Sequence, residues 1–101
     1  MNPKALEEAI RKDLKEGLKP TAVIATTGTT GSTAIDPLKE IGQICSKYET
    51  FLHVDAAYAG TALLLPELRW MNEGIEHADS FVFNPHKWMF TNFDCSAFYV
   101  Q

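Results

Sequence analysis

Lys87 stands where a lysine can act as a nucleophile. It follows an apolar run, Phe81-Val82-Phe83, and a turn, Asn84-Pro85, and it lies between His86 and Trp88. The run reads as a short buried strand that Asn and Pro terminate. Apolar and aromatic neighbours predict a lysine withdrawn from water. Desolvation weakens the hold on the proton, and the neutral amine condenses with an aldehyde to a Schiff base. Taken alone, Asn-Pro-His-Lys is equally a lysine snorkelling from a loop. A second stretch outweighs that plainer account: His53-Val54-Asp55-Ala56-Ala57-Tyr58-Ala59-Gly60 repeats the design. It has a short strand, one carboxylate, and then small residues that let a ligand approach. A third stretch, Thr26-Thr27-Gly28-Thr29-Thr30-Gly31-Ser32, offers hydroxyl and backbone donors. It lacks the Gly-Lys-Ser/Thr ending of a Walker loop, and by itself it reads as a flexible connection.

The elements that hold these stretches follow from periodicity. Asn2-Pro3 predicts a capped helix with Leu6, Ala9, Ile10 and Leu14 on its apolar face and Gly17 as its terminator. Thr21–Ala25 is nearly all apolar, as a strand buried on both faces of a parallel sheet must be. Asp36-Pro37 repeats the cap-plus-proline signal before a second helix bearing Leu38, Ile41, Ile44 and Cys45. Phe51–Val54 is the next strand, ending at Asp55. A short helix is expected over Pro66–Asn72, with Gly74 as its breaker. Strands follow at Asp79–Phe83 and Cys95–Val100. The order implies an α/β fold of parallel units with right-handed crossovers. In such sheets ligands gather at the carboxyl ends of the strands. The Thr/Gly loop, Asp55 and Lys87 each fall just past such an end, on three different strands.

Composition narrows the function classes. A chain of 101 residues, 46% hydrophobic and 22% charged, is long enough for one core and too apolar to be disordered. The net charge of −4 and the lack of a basic block argue against nucleic acid and anionic membrane as partners. The most apolar run, Ala62–Leu65, is far too short to span a bilayer, and the charged N-terminal helix does not resemble a signal peptide. Cys45 and Cys95 show neither metal spacing nor a disulfide framework. They are expected as small buried residues in a reducing, cytoplasmic compartment.

A lysine, a carboxylate and a set of hydroxyl donors match the needs of pyridoxal 5′-phosphate (PLP). The lysine takes the aldehyde, the carboxylate keeps the ring nitrogen protonated, and donors such as Thr30, Asn84 and His86 suit the phosphate. Asp55 and Lys87 are 32 residues apart, room for a crossover between neighbouring strands. At Thr26–Thr30, His53–Gly60, Asn84–Trp88 and Asn92-Phe93-Asp94-Cys95-Ser96 the chain resembles the group II PLP-dependent decarboxylases, above all the aromatic-L-amino-acid branch.

The resemblance covers essentially the whole chain. It implies Lys87 as the Schiff-base lysine, Asp55 at the pyridine nitrogen, Ala57 against the ring, Thr30 as a further cofactor contact, and Asn84 and His86 near the phosphate. For His53 it leaves a strand residue that shapes the rim. The implied fold is the central part of the type I, aspartate-aminotransferase-like large domain, mostly parallel with a final antiparallel strand. The implied activity is decarboxylation of an aromatic amino acid to its amine and CO2. The alternatives are histidine, glutamate or cysteine-sulfinate decarboxylation, aldehyde synthesis, or a truncated product that at most associates with partner chains. Histidine before the lysine is similar to the aromatic branch, since animal histidine decarboxylases tend to carry serine there. Full-length members are homodimers. Residues 1–101 match only part of the large domain, without its N-terminal segment, catalytic loop or C-terminal domain, so the segment alone is expected to be inactive.

Overall fold

Asn2 caps the first helix as its sequence predicts. Its Oδ1 accepts hydrogen bonds from the backbone of Lys4 and Ala5 at 3.0 and 3.3 Å, at the head of α1 (Pro3–Lys15). The computed structural model describes residues 1–101. Three strands then run parallel: β1 (Ala22–Thr26), β2 (Phe51–Asp55) and β3 (Ser80–Phe83). β4 (Ala97–Val100) closes the sheet antiparallel to β3, in the order β1-β2-β3-β4. The second helix, α2 (Leu38–Lys47), links β1 to β2. Three short 3-10 segments, Gly60–Leu64, Pro66–Asn72 and Ile75–His77, link β2 to β3. A single turn, α3 (Pro85–Trp88), follows β3 directly.

One face of the sheet carries the core. Val23, Ala25, Leu52 and Val54 point into it and meet Ile10 of α1 with Leu38, Ile41 and Cys45 of α2. Burying a side chain of this kind stabilises the fold by about 1.5–3 kcal/mol each. The Cys45 thiol lies inside this layer, and burial, with the nearby Asp79 charge, pushes its pKa up. It therefore packs as a small neutral hydrophobe. Cys95, expected to be buried too, is only half-buried. The alternate residues of the strands form the other face. There Ile24, Phe98 and Val100 remain exposed, and Thr26 and Asp55 sit side by side in register.

β1 runs one residue later than the expected Thr21–Ala25, and three further element boundaries differ for local reasons. Asp36 does not cap α2; Pro37 takes that position without a side-chain bond. Asp36 instead accepts the Thr26 N–H on Oδ2 and donates its own N–H to the Thr26 carbonyl, both at 2.9 Å. β1 is the sheet edge, so Thr26 needs these partners more than the helix does. β3 begins one residue after Asp79, whose carboxylate accepts the Leu52 N–H at 2.7 Å. β4 begins at Ala97 and not at Cys95, because the Cys95 N–H is committed to the His86 ring.

Candidate active site

The three stretches singled out by residue type converge at one rim of the sheet. The Thr/Gly loop leaves the end of β1, Asp55 is the last residue of β2, and Lys87 lies in the turn after β3. Thr30, Asp55, Ala57 and Lys87 line one cleft of about 220 Å³. Thr26, Gly28, Thr29 and Tyr58 complete its wall. These last four were not singled out from sequence, although each lies within the same stretches. The signal for Thr26, Gly28 and Thr29 is the loop's hydroxyl and backbone donors, and for Tyr58 it is proximity to the strand end at Asp55.

The loop is tied, not flexible. The N–H groups of Gly28 and Thr29 donate to the Ala34 carbonyl at 2.9 and 3.1 Å, and Thr33 donates to the Thr29 carbonyl at 2.8 Å. The Thr29 hydroxyl accepts the Ala34 N–H at 3.1 Å and shares a hydrogen with Ser32 Oγ at 2.9 Å. Gly28 has φ of 76°, and a Cβ there would lie 2.2 Å from Ala59 Cβ. Only glycine allows the loop to pack this closely over the turn that follows Asp55.

Asp55 is oriented by its own chain. Its Oδ1 accepts the Ala57 N–H at 2.9 Å, and Oδ2 makes no hydrogen bond within the protein. His53, two residues earlier on the same sheet face, bonds Ser80 Oγ through Nδ1 at 2.8 Å and stacks on Phe98. Its place within the strand suits the rim-shaping reading.

Lys87 is exposed, contrary to the desolvated lysine expected from its neighbours. On a helical turn successive side chains point about 100° apart, so flanking aromatics need not cover the residue between them. Trp88 turns instead to Tyr58, edge-on at 5.1 Å between ring centroids. His86 lies against Phe93 at 4.8 Å and accepts the Cys95 N–H on Nδ1 at 2.9 Å. Asn84 stands at the head of α3, where its carbonyl accepts the Lys87 N–H at 3.0 Å. Neither Asn84 nor His86 lines the cleft.

Two other lysines are engaged by carboxylates away from the cleft. Lys39 binds Glu73 at 2.9 Å and Lys47 binds Glu7 at 2.6 Å, and these bonds hold both ammonium groups above their ordinary range. A larger hollow of about 520 Å³ lies between Ile35–Glu40 and the Trp70–Glu73 segment. Its lysine is the ion-paired Lys39, and it holds none of the strand-end groups. No group of three or more His, Cys, Asp and Glu side chains gathers to hold a metal ion. No helix is long and apolar enough to cross a membrane.

The cleft thus brings together an amine and a carboxylate from the ends of adjacent parallel strands and hydroxyls from the neighbouring loop. The chain belongs to the pyridoxal-dependent decarboxylase family, whose conserved-domain model matches residues 1–101, and PLP is the cofactor that this membership assigns. It is 59% identical over 97 residues to histidine decarboxylase of Mus musculus, covering 96% of this chain and 15% of the relative. Against aromatic-L-amino-acid decarboxylase of Manduca sexta it is 56% identical over 96 residues, covering 95% and 19%. The crystal structure of Oryza sativa TDC with PLP and tryptamine superposes with a TM-score of 0.97 at 44% identity, covering 100% of this chain and 21% of that one. The chain thus spans between about a seventh and a fifth of the length of these relatives.

Proposed function

We propose that residues 1–101 are the cofactor-anchoring part of a large PLP-binding domain, and that the full-length protein decarboxylates an aromatic L-amino acid to its amine and CO2. The observation that carries this reading is that Lys87 and Asp55 line one cleft while neither is engaged by another side chain. In this reading the Lys87 amine meets the cofactor's aldehyde. The Oδ2 atom of Asp55 holds the proton on the ring nitrogen, while Oδ1 stays anchored to Ala57. Ala57 leaves room for the flat ring, and Thr30 contributes a hydroxyl from the tied loop. Asn84 and His86 serve the phosphate from the turn that carries Lys87. Bound there, PLP supplies an electron sink for the pair left behind when CO2 departs. The same reading makes the full-length protein a cytoplasmic homodimer that acts on a small molecule.

Preference for an aromatic substrate rests on His86, which stands before Lys87 as in the aromatic branch. A second reading, histidine as substrate, is favoured by the 59% identity to the Mus musculus enzyme. The test offers the purified full-length protein L-DOPA, tyrosine, tryptophan, phenylalanine, histidine, glutamate and cysteine sulfinate, and measures CO2 and the organic product. An aromatic amine as the preferred product supports the proposal. Histamine as the main product supports the second reading instead, and an aromatic aldehyde in place of the amine overturns decarboxylation as the net reaction.

A further inference from the structure

Asp55 and Lys87 enter the cleft from adjacent strands, and the position of one relative to the other depends on what ties the two strand ends. Two backbone bonds do so, from the Ala56 N–H to the Val82 carbonyl at 2.9 Å and from the Asn84 N–H to the Ala57 carbonyl at 3.3 Å, and neither reaches past Asn84 into the turn that bears Lys87. α3 spans four residues and has no side-chain cap, so its own hydrogen bonds do not fix its direction. The chain beyond it holds the turn through His86, which is bonded to the Cys95 backbone at 2.9 Å, but that link runs away from Asp55. One side-chain link runs from α3 to the segment after Asp55, and it is aromatic. Tyr58, three residues past Asp55 and half-buried in the cleft wall, receives Trp88, the residue after Lys87, at 5.1 Å and an interplanar angle of 78°.

We propose that Tyr58 and Trp88 are a positioning pair: their edge-to-face contact sets where the Lys87 amine stands relative to Asp55. This rests on the reading of Lys87 as the cofactor lysine. The contact joins the two functional segments directly and lies outside the main core. Its loss leaves the sheet intact and lets the single turn swing. The attraction arises between a ring edge and a ring face, so phenylalanine can replace either partner and an aliphatic side chain cannot.

The test uses the full-length protein loaded with PLP, first reduced with borohydride to locate the cofactor lysine. It then compares Tyr58→Phe, Trp88→Phe, Tyr58→Leu, Trp88→Leu and the double leucine variant. The readouts are kcat and KM separately and the circular dichroism of the bound-cofactor absorption band. Each phenylalanine variant is expected to keep at least several times the kcat of the leucine variant at the same position, since the ring pair survives. Each leucine variant is expected to lose kcat by tenfold to on the order of a hundredfold, as displacement of a reacting group by about 1 Å does. KM should change little, and the cofactor dichroism should weaken. The double variant should be no worse than the poorer single one, since the two residues act through one contact. Trp88→Met, which also removes the ring, stands in for any leucine variant that does not fold, with the same outcomes. Leucine variants with wild-type kcat and dichroism, or losses that simply multiply in the double variant, overturn the pair while leaving Lys87 in its role. Cofactor fixed at another lysine overturns both the site reading and the pair.

Discussion

At the scale of single residues, the division of labour within the Asp55 carboxylate is the feature most open to experiment. One oxygen is held by the Ala57 N–H, and the other is left for a ligand. Asparagine keeps the size and one hydrogen bond but lacks the charge that favours a protonated ring nitrogen. The loss should fall on the decarboxylation step, where negative charge develops, more than on substrate binding. If the charge supplies about 4 kcal/mol there, the rate falls on the order of a thousandfold. Single-turnover decarboxylation by full-length Asp55→Asn, saturated with PLP, measures this. A rate within about threefold of wild type would make Asp55 a packing residue. The placement of Asp55 and Lys87 at neighbouring strand ends was legible in sequence because each is a lone charged group just past an apolar strand. The environment of Lys87 was not legible, because sequence adjacency to His86 and Trp88 says nothing of where a helical turn points them. The cleft roles of Thr26 and Tyr58 were hidden for a related reason: they depend on register and on the turn after Asp55, which only the folded chain displays.

At the scale of elements, the strand and helix order was readable from period and punctuation, and the loop after β1 was not. Thr and Gly content suggests flexibility, yet the folded loop satisfies its own backbone through Ala34, Thr29 and Asp36. Those partners lie four to ten residues apart, most of them beyond the reach of a local turn rule. Gly28 is where the loop is most constrained, by a left-handed φ and by contact with Ala59 together. Gly28→Ala in the full-length protein forces either the loop or the turn after Asp55 to move, at a cost of about 1–3 kcal/mol. The expected result is a lower Tm and PLP binding weakened by roughly tenfold, measured by equilibrium titration of the apoprotein, because each 1.4 kcal/mol is a factor of ten. Unchanged Tm and PLP affinity would show that the loop does not brace the site.

At the scale of the whole molecule, the sheet is covered on one face by α1 and α2 and bare on the other, where Ile24, Phe98 and Val100 are exposed. A doubly covered sheet is what nearly continuous apolar strands such as β1 call for. This fits the proposal that the segment works inside a longer chain, as its relatives are several times its length. The account as a whole turns on which lysine holds the cofactor. Lys39 and Lys47 are each bonded to a glutamate and held protonated, whereas Lys87 faces Asp55 across the cleft with no such partner. Borohydride reduction of the PLP-loaded full-length protein, followed by peptide mapping, reads this directly. The account predicts the reduced cofactor on the peptide containing Lys87 and nowhere else; cofactor fixed at Lys39 or Lys47, or no covalent label at all, would contradict it.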